Sequence, residues 1–174
     1  MRISLILLLI LSLTTGCSVP AMPPTDHEMI QHFNNKYLAF EKIYEIISSC
    51  PDNSYYPPYY AEDTLCLNGI SPVIQKKLDS LLSEIQCERI YYKRQSGQEN
   101  DILGMMELSI SFYSDGYSVG GTAKDFVYCA PTIRDYYKMS DNMELNDIIR
   151  ENYNDTILYK PIIDNWYIRL IHDR

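Results

Sequence analysis

The sequence is poor in the residues that most often carry acid–base and nucleophilic chemistry. Only three histidines occur among 174 residues, His27, His32 and His172, and no two cysteines stand in a C-x-x-C spacing. His27 and His32 are five residues apart, whereas two metal ligands on one helix face need a spacing of four. We therefore expect no metal site, no cofactor and no catalytic constellation, and a protein that is not an enzyme.

The sequence also has no excess of positive charge, and it contains only one long apolar run. Lys plus Arg number 15 against 23 Asp plus Glu, which gives a formal net charge of −8. Nucleic-acid binders depend on basic patches, so nucleic acid is not an expected partner. A single long apolar run excludes a polytopic membrane protein. With 46% hydrophobic residues the chain can form one packed domain.

The one apolar run lies at the N-terminus and is typical of a secretory signal peptide. Arg2 precedes an apolar core, ISLILLLILSL, that extends from Ile3 to Leu13. A transmembrane helix needs about 20 apolar residues, so this core is too short to span a bilayer comfortably. We expect residues 1–16 to be a targeting segment that is removed on export.

The leader ends at residues 13–17 in the sequence LTTGC, which resembles the lipobox of bacterial lipoproteins. In that family small residues precede a cysteine that is lipidated and becomes the new N-terminus; here Thr14 stands where leucine is usual. The resemblance implies that Cys17 carries a diacylglycerol and an acyl chain such as palmitate, which together anchor stably. Ser18, where aspartate would favour the inner membrane, implies an outer-membrane anchor that faces the periplasm. The alternative is plain secretion, with Cys17 incidental.

Residues 17–24 predict a tether between the lipid and the body of the protein. The segment 18–24, SVPAMPP, has three prolines and no charge, which favours an extended, semi-rigid chain. The acidic body is poorly suited to lying on anionic lipid, and loss of Arg2 with the leader makes it one unit more negative. We therefore expect the lipid to be the membrane contact and residues 25–174 to form one domain.

The four cysteines other than Cys17 are an even set, which favours two disulfides in an oxidising compartment. Of the three pairings that four cysteines allow, we favour Cys50–Cys66 with Cys87–Cys129. The first pair would staple an irregular segment, and the second would tie two predicted strands. The alternative is that these cysteines are buried free thiols.

Hydrophobic periodicity predicts two helices in the first half of the body. Thr25 and Glu28 form a capping-box pattern. Six apolar residues then recur at helical spacing as far as Ile47, and Pro51 forbids continuation beyond Cys50. Ser71-Pro72 is typical of a helix start, and Ile74, Leu78, Leu81 and Ile85 form the inner stripe of this second helix.

From Cys87 the period changes to two, which predicts strands. We expect strands over 87–94, 106–112 and 117–129, with a turn at 114–116 and a bulge at Gly120-Gly121. Two more strands follow around a bend at 164–165, after a weakly helical segment over 135–154. The predicted class is α+β, with two N-terminal helices packed on a four- to five-stranded antiparallel sheet.

The segment 116–120, GYSVG, is the part of the sequence most similar to a catalytic motif. It fits the G-x-S-x-G nucleophile elbow of α/β-hydrolases. Asp164 and His172 even follow Ser118 in triad order. An elbow, however, lies between a parallel strand and a helix, whereas here the alternation predicts an antiparallel hairpin. The segment from Ser118 to His172 is also too short for the rest of that fold. A serine hydrolase that uses Ser118 is therefore only a remote alternative.

Tyrosine is the compositional oddity, with sixteen residues in the chain. Tyr55, Tyr56, Tyr59 and Tyr60 flank a Pro-Pro pair inside the proposed Cys50–Cys66 loop. A tyrosine ring presents a large apolar face with a polar tip, which suits recognition surfaces. We expect these residues to contact an envelope protein or a glycan. The alternative is that two or more of these rings close the core over the first helix.

These features predict a small exported lipoprotein that acts as a non-enzymatic binding or accessory module at the cell envelope. An alternative role is an inhibitor or immunity protein that neutralises a periplasmic toxin or an envelope hydrolase. Small size, acidity and an aromatic loop are compatible with both roles.

Overall fold

The computed structural model describes residues 22–50, 54–59, 70–94, 106–117, 120–129, 143–151 and 155–173. Within these residues the helices are α1 (Asp26–Ser48), α2 (Pro72–Ile85) and α3 (Leu145–Glu151). The strands are β1 (Ser54–Tyr56), β2 (Arg89–Arg94), β3 (Met106–Tyr117), β4 (Gly120–Cys129), β5 (Thr156–Ile163) and β6 (Trp166–Asp173). The α+β class is confirmed.

Helix α1 begins at the predicted capping box. The Glu28 N–H donates to Thr25 Oγ1 (3.2 Å), and the Thr25 N–H donates to Glu28 Oε2 (2.8 Å), so two N-terminal donors are satisfied reciprocally. Phe33, Phe40 and Ile47 of the predicted stripe are fully buried, and the other three members are half-buried at its margin. The helix therefore packs on the core along the face that the sequence periodicity predicts.

The strands form one six-stranded antiparallel sheet in the order β1-β2-β3-β4-β6-β5. The prediction of four or five strands was one too low, because β1 lies in the Pro- and Tyr-rich segment that composition marks as loop. Only three residues pair there, with Tyr55 opposite Tyr91 and Tyr56 opposite Ile90. A strand this short leaves no periodicity to recognise in the sequence.

The β3–β4 hairpin differs from the sequence expectation in two details. Pairing continues through the predicted turn at 114–116 as far as Tyr117 opposite Gly120, so the strands are longer than expected. The register shift lies in β3 between Ser111 and Tyr113 and not at Gly120-Gly121. Gly121 instead lies opposite Gly116, where a Cβ on Gly116 would come within 2.4 Å of the Gly121 Cα. The glycines therefore permit close approach of the two strands and do not form a bulge.

Helices α1 and α2 pack on one face of the sheet, which we call the helix face. Phe33 and Phe40 meet Phe126 and Trp166 in an aromatic centre, with ring centroids 4.7–5.8 Å apart. Helix α1 crosses this face of the sheet. At its start Asp26 is bound by Lys124 and Lys160. Just after its end, the Tyr92 hydroxyl of β2 donates to the Cys50 carbonyl. No helix in the described part of the chain is long and apolar enough to cross a membrane.

The predicted Cys87–Cys129 disulfide is wrong, because both residues are buried free thiols. Cys87 precedes Glu88, whose N–H donates to the Ser111 carbonyl, whereas Cys129 lies opposite Glu107. Four residues along β3 correspond to about 13 Å, whereas a disulfide needs Cα atoms within about 7 Å. Burial raises the pKa of both thiols, that of Cys129 to about 12. Cys66 lies outside the described residues, so Cys50–Cys66 stays a prediction.

Candidate binding surface

Strand β1 separates the tyrosines that the sequence groups together. Successive side chains of a strand point to opposite faces, so Tyr56 lies on the helix face and Tyr55 on the other. Tyr56 is only 5% exposed, and its hydroxyl is within hydrogen-bond distance of the Gln75 carbonyl and the Asp79 carboxylate of α2. Tyr56 is a core residue, so its assignment to the contact surface was wrong. Tyr60 lies outside the described residues.

Tyr55, Tyr59, Tyr91 and Arg89 form a group on the opposite face of the sheet, which we call the tyrosine surface. The Tyr55 ring centroid lies 5.1 Å from that of Tyr59 and 6.5 Å from that of Tyr91. The Tyr59 and Tyr91 hydroxyls are hydrogen-bonded to each other. Tyr59 is 53% exposed and Tyr91 39%, so two large aromatic rings are presented to solvent at the β1 edge of the sheet.

Arg89 packs against the face of the Tyr59 ring and helps to fix its position on this surface. Its guanidinium carbon lies 3.6 Å from the Tyr59 ring centroid, a cation–π contact, and Nη1 donates to the Pro57 carbonyl. The pKa of Tyr91 is raised to about 12. Partial burial is the largest cause, and the hydrogen bond with Tyr59 is the second largest. The Tyr91 phenol is therefore neutral at physiological pH and remains a donor as well as an acceptor.

Arg89 and Arg169 lie on one cross-strand row of this face but have different surroundings. The row runs from Arg89 through Ser111 and Asp125 to Arg169. Arg169 donates to Asp125 Oδ2 (2.6 Å), to Glu107 Oε1 (2.8 Å) and to Ser109 Oγ (2.7 Å). Arg89 has no carboxylate partner among the described residues. Arg169 is thus paired with carboxylates, whereas within the described residues Arg89 carries its charge beside the exposed rings without one.

A second polar cluster lies on the helix face, where the predicted tether meets the domain. We call Asp26, Lys124, Glu144, Asn146 and Lys160 the junction network. Lys124 is fully buried, and its ammonium group donates to Asp26 Oδ1 (2.6 Å), the Pro24 carbonyl (2.7 Å) and Asn146 Oδ1 (3.0 Å). An ammonium has three donors, so every N–H of this buried charge is satisfied.

The junction network fixes the chain just before α1. Asn146 Nδ2 donates to the Pro23 carbonyl (2.9 Å), and the Asp26 N–H donates to Glu144 Oε1 (2.8 Å). Burial of Asp26 opposes its ionisation, but hydrogen bonds from Lys124, from the Leu145 N–H and from Lys160 outweigh this and lower the pKa of Asp26. The network therefore stabilises the fold, and none of its buried side-chain N or O atoms lacks a hydrogen-bond partner.

The residues of the remote hydrolase hypothesis are not brought together. Ser118 lies outside the described residues, but Gly116 and Gly120 belong to antiparallel strands of one hairpin and not to a strand–helix turn. Asp164 lies in the turn before β6, whereas His172 lies near the far end of this strand, about 20 Å from Trp166 at about 3.3 Å per residue. A cavity of about 340 Å³ beside the β3–β4 hairpin has Asp115 and Asp173 in its lining. Neither Asp164 nor His172 lines this cavity.

In the described part of the chain, the rings of His32 and His172 have a carbonyl and a hydroxyl as their hydrogen-bond partners. The His32 ring lies between α1 and the sheet, with Nε2 2.7 Å from the Ile85 carbonyl. His172 Nδ1 lies 2.9 Å from Thr122 Oγ1, on neighbouring strands. No group of three or more His, Cys, Asp or Glu residues in the described ranges could hold a metal ion.

Two members of the tyrosine surface, Arg89 and Tyr91, were not anticipated from the sequence. A signal for Tyr91 exists in the segment RIYYKR, because a residue between buried Ile90 and buried Tyr92 must lie on the opposite face. Recognising that this face meets Tyr55 and Tyr59 requires the β1–β2 pairing, which the sequence does not predict.

Comparison with known sequences places the chain in a family. The sequence model of the family described as "Domain of unknown function (DUF4948)" matches residues 22–76 and 60–174. The chain belongs to this family. The match begins where the structure places the junction network and extends over all nine helices and strands of the described part. No curated protein and no solved structure matches the chain.

Proposed function

We propose that this DUF4948 protein is a non-enzymatic binding or accessory module of the cell envelope, and that the tyrosine surface is its contact site. The observation that carries this proposal is the contrast in pairing. The buried side-chain N and O atoms of the described residues all have hydrogen-bond partners, whereas Tyr59, Tyr91 and Arg89 present rings and donors to solvent. Exposed tyrosines beside an arginine are typical of recognition surfaces.

The proposal includes export and a lipid anchor at Cys17 on the periplasmic side of the outer membrane. The support is the lipobox resemblance together with the position of the junction network. At the end of the predicted tether, Pro23 and Pro24 accept hydrogen bonds from Asn146 and Lys124. A rigid attachment at this point would hold the domain in a defined orientation relative to the lipid.

The junction network, which follows the proposed anchor, and the tyrosine surface lie on opposite faces of the sheet. The junction network lies on the helix face and includes Lys160 of the edge strand β5, whereas the tyrosine surface lies on the opposite face beside the other edge strand, β1. Strands are spaced by about 4.8 Å, so the two edges of this sheet are about 24 Å apart. A domain anchored through Pro23 would therefore present the tyrosine surface away from its attachment point.

Lipid processing is tested by globomycin treatment of cells that express the full chain. We expect the unprocessed precursor to accumulate, and we expect Cys17→Ser to abolish lipid labelling while export continues. Mature protein that appears at an unchanged rate under globomycin would contradict the lipid anchor.

The contact site is tested by crosslinking from intact cells followed by purification of the protein. We expect a combined Tyr55→Ser, Tyr59→Ser and Tyr91→Ser variant to lose its crosslinked partners. Replacement of Leu38 and Val73 by Ser is the matched control, since these residues are 72% and 79% exposed on the helices. Capture that is unchanged in the tyrosine variant would overturn the contact-site proposal. Identification of a toxin or envelope hydrolase as the partner would favour the inhibitor hypothesis.

A further inference from the structure

We infer that the tyrosine surface binds a glycan that carries a carboxylate. This inference rests on the proposed contact site and names the chemical class of its ligand. The donors of Arg89 that no described residue engages select the anionic group, and the hydroxyl-bearing rings beside Arg89 select the sugar.

Arg89 has a planar fork of donors that the described residues engage only in part. A guanidinium has five N–H donors, and only the bond from Nη1 to the Pro57 carbonyl engages Arg89 in the described part of the chain. Asp125, two residues away along the cross-strand row, is already held by Arg169. Ser111, directly opposite Arg89, adds a hydroxyl to the same row. Among the residues that the structure describes, the positive charge of Arg89 therefore has no carboxylate partner.

A carboxylate fits this site better than a phosphate does. Both anions match the planar fork of arginine, but the chain has a formal net charge of −8. A phosphate with nearly two negative charges would be repelled by the body more strongly than a carboxylate with one. The cation–π contact with Tyr59 already fixes the guanidinium, so little side-chain entropy is lost when the anion binds.

The rings beside Arg89 favour a sugar over a protein side chain. All three rings of the surface are tyrosines, and the Tyr59 and Tyr91 hydroxyls form a hydrogen-bonded pair that can exchange bonds with sugar hydroxyls. A ring face is electronegative and attracts the C–H groups on one face of a pyranose. Protein hot spots instead bury a large anchor in a desolvated pocket, whereas here Tyr59 and Tyr91 remain 53% and 39% exposed.

The test is glycan binding by the full-length protein, purified in detergent. The probes are immobilised uronic-acid and muramic-acid oligosaccharides, each beside its carboxyl-reduced counterpart. We expect binding to acidic members and a loss of about tenfold or more on carboxyl reduction, as for one charge-assisted bidentate contact. Arg89→Gln should cause a similar loss, whereas Lys77→Gln, which removes an exposed charge of α2, should leave binding unchanged.

Equal binding of the acidic and reduced forms, binding of neither, or wild-type affinity in Arg89→Gln would overturn the inference. The comparison of acidic and reduced probes needs no variant, so it decides the matter even if Arg89→Gln folds poorly. If no glycan binds while tyrosine-dependent crosslinks persist in cells, the ligand class is wrong and the contact site survives. If both are lost, the proposed function fails as well.

Discussion

The junction network and the tyrosine surface use similar groups in opposite ways. In the junction network Lys124 and Asp26 are buried and Lys160 and Glu144 are partly exposed. Lys124 donates all three of its N–H groups within the fold. On the tyrosine surface Arg89 is engaged by one carbonyl and one ring and is otherwise unpaired among the described residues. A cluster whose hydrogen-bond donors are all engaged within the protein stabilises the fold, whereas a cluster with donors that the described residues do not engage can bind a ligand. Stability and binding should therefore respond to different substitutions.

The largest expected effect is on stability, from replacing Lys124 by Met. Among the described residues, this change leaves the buried Asp26 carboxylate with Lys160 as its one cationic partner. It also leaves the Pro24 carbonyl with only the longer hydrogen bond from Asn146 Nδ2 (3.3 Å). Removing one member of a buried ion pair costs about 3 kcal/mol or more. Urea unfolding should show this loss in the free energy of unfolding. A change below about 1 kcal/mol would mean that the network does not stabilise the fold.

The junction network should also make stability sensitive to acid. The pKa of Asp26 is lowered in the folded protein, so its contribution is fully present above the unfolded pKa of about 3.9 and is lost as pH falls through the folded value. The wild type should therefore lose stability below about pH 4. Asp26→Asn should be less stable at pH 7 and should show a weaker decline. Parallel pH profiles for the two proteins would contradict this assignment.

Substitutions on the tyrosine surface should separate binding from stability. Tyr59→Ser and Tyr91→Ser remove partly exposed rings, so we expect each to lower the free energy of unfolding by about 1 kcal/mol or less. Partner or glycan capture should nevertheless fall strongly, because these rings form the exposed platform. Thermal unfolding and capture measured on the same samples distinguish this outcome from general unfolding, which would reduce both.

The smallest effect should come from an exposed ion pair close to the junction network. Arg150 lies 3.3 Å from Asp147 on α3, and both side chains are more than half exposed. Such surface pairs contribute about 0.5 kcal/mol or less. Arg150→Ala should therefore leave urea unfolding nearly unchanged, which makes it the matched control for Lys124→Met. A loss as large as that of Lys124→Met would show that charge removal near α3 is destabilising in general.

The sequence predicts the elements whose side chains repeat with a clear period. The capping box of α1, the Ser71-Pro72 start of α2 and the alternation in β3 all lead to the correct structures. Strand β1 has only three residues, so no period exists in it and the sixth strand was missed. The turn at 114–116 was misplaced because its turn residues also fit a strand that pairs closely through Gly116 and Gly121.

The candidate site could be predicted only in part, for a physical reason. Tyrosines that are neighbours in the sequence need not share a surface, because a strand places Tyr55 and Tyr56 on opposite faces. The pairing of β1 with β2 then brings in Tyr91 and Arg89, which are more than thirty residues along the chain from Tyr55. The junction network is likewise long-range, since Asp26 and Lys124 are separated by 98 positions.

The most direct test of the account is photocrosslinking in intact cells from a benzophenone amino acid at single positions of the full chain. The account predicts discrete covalent adducts from position 59 of the tyrosine surface and none from position 38 or 73, which are exposed on the helices. Adducts that are equally frequent at all three positions, or absent at position 59, would contradict the claim that the tyrosine surface is where this protein meets its partner.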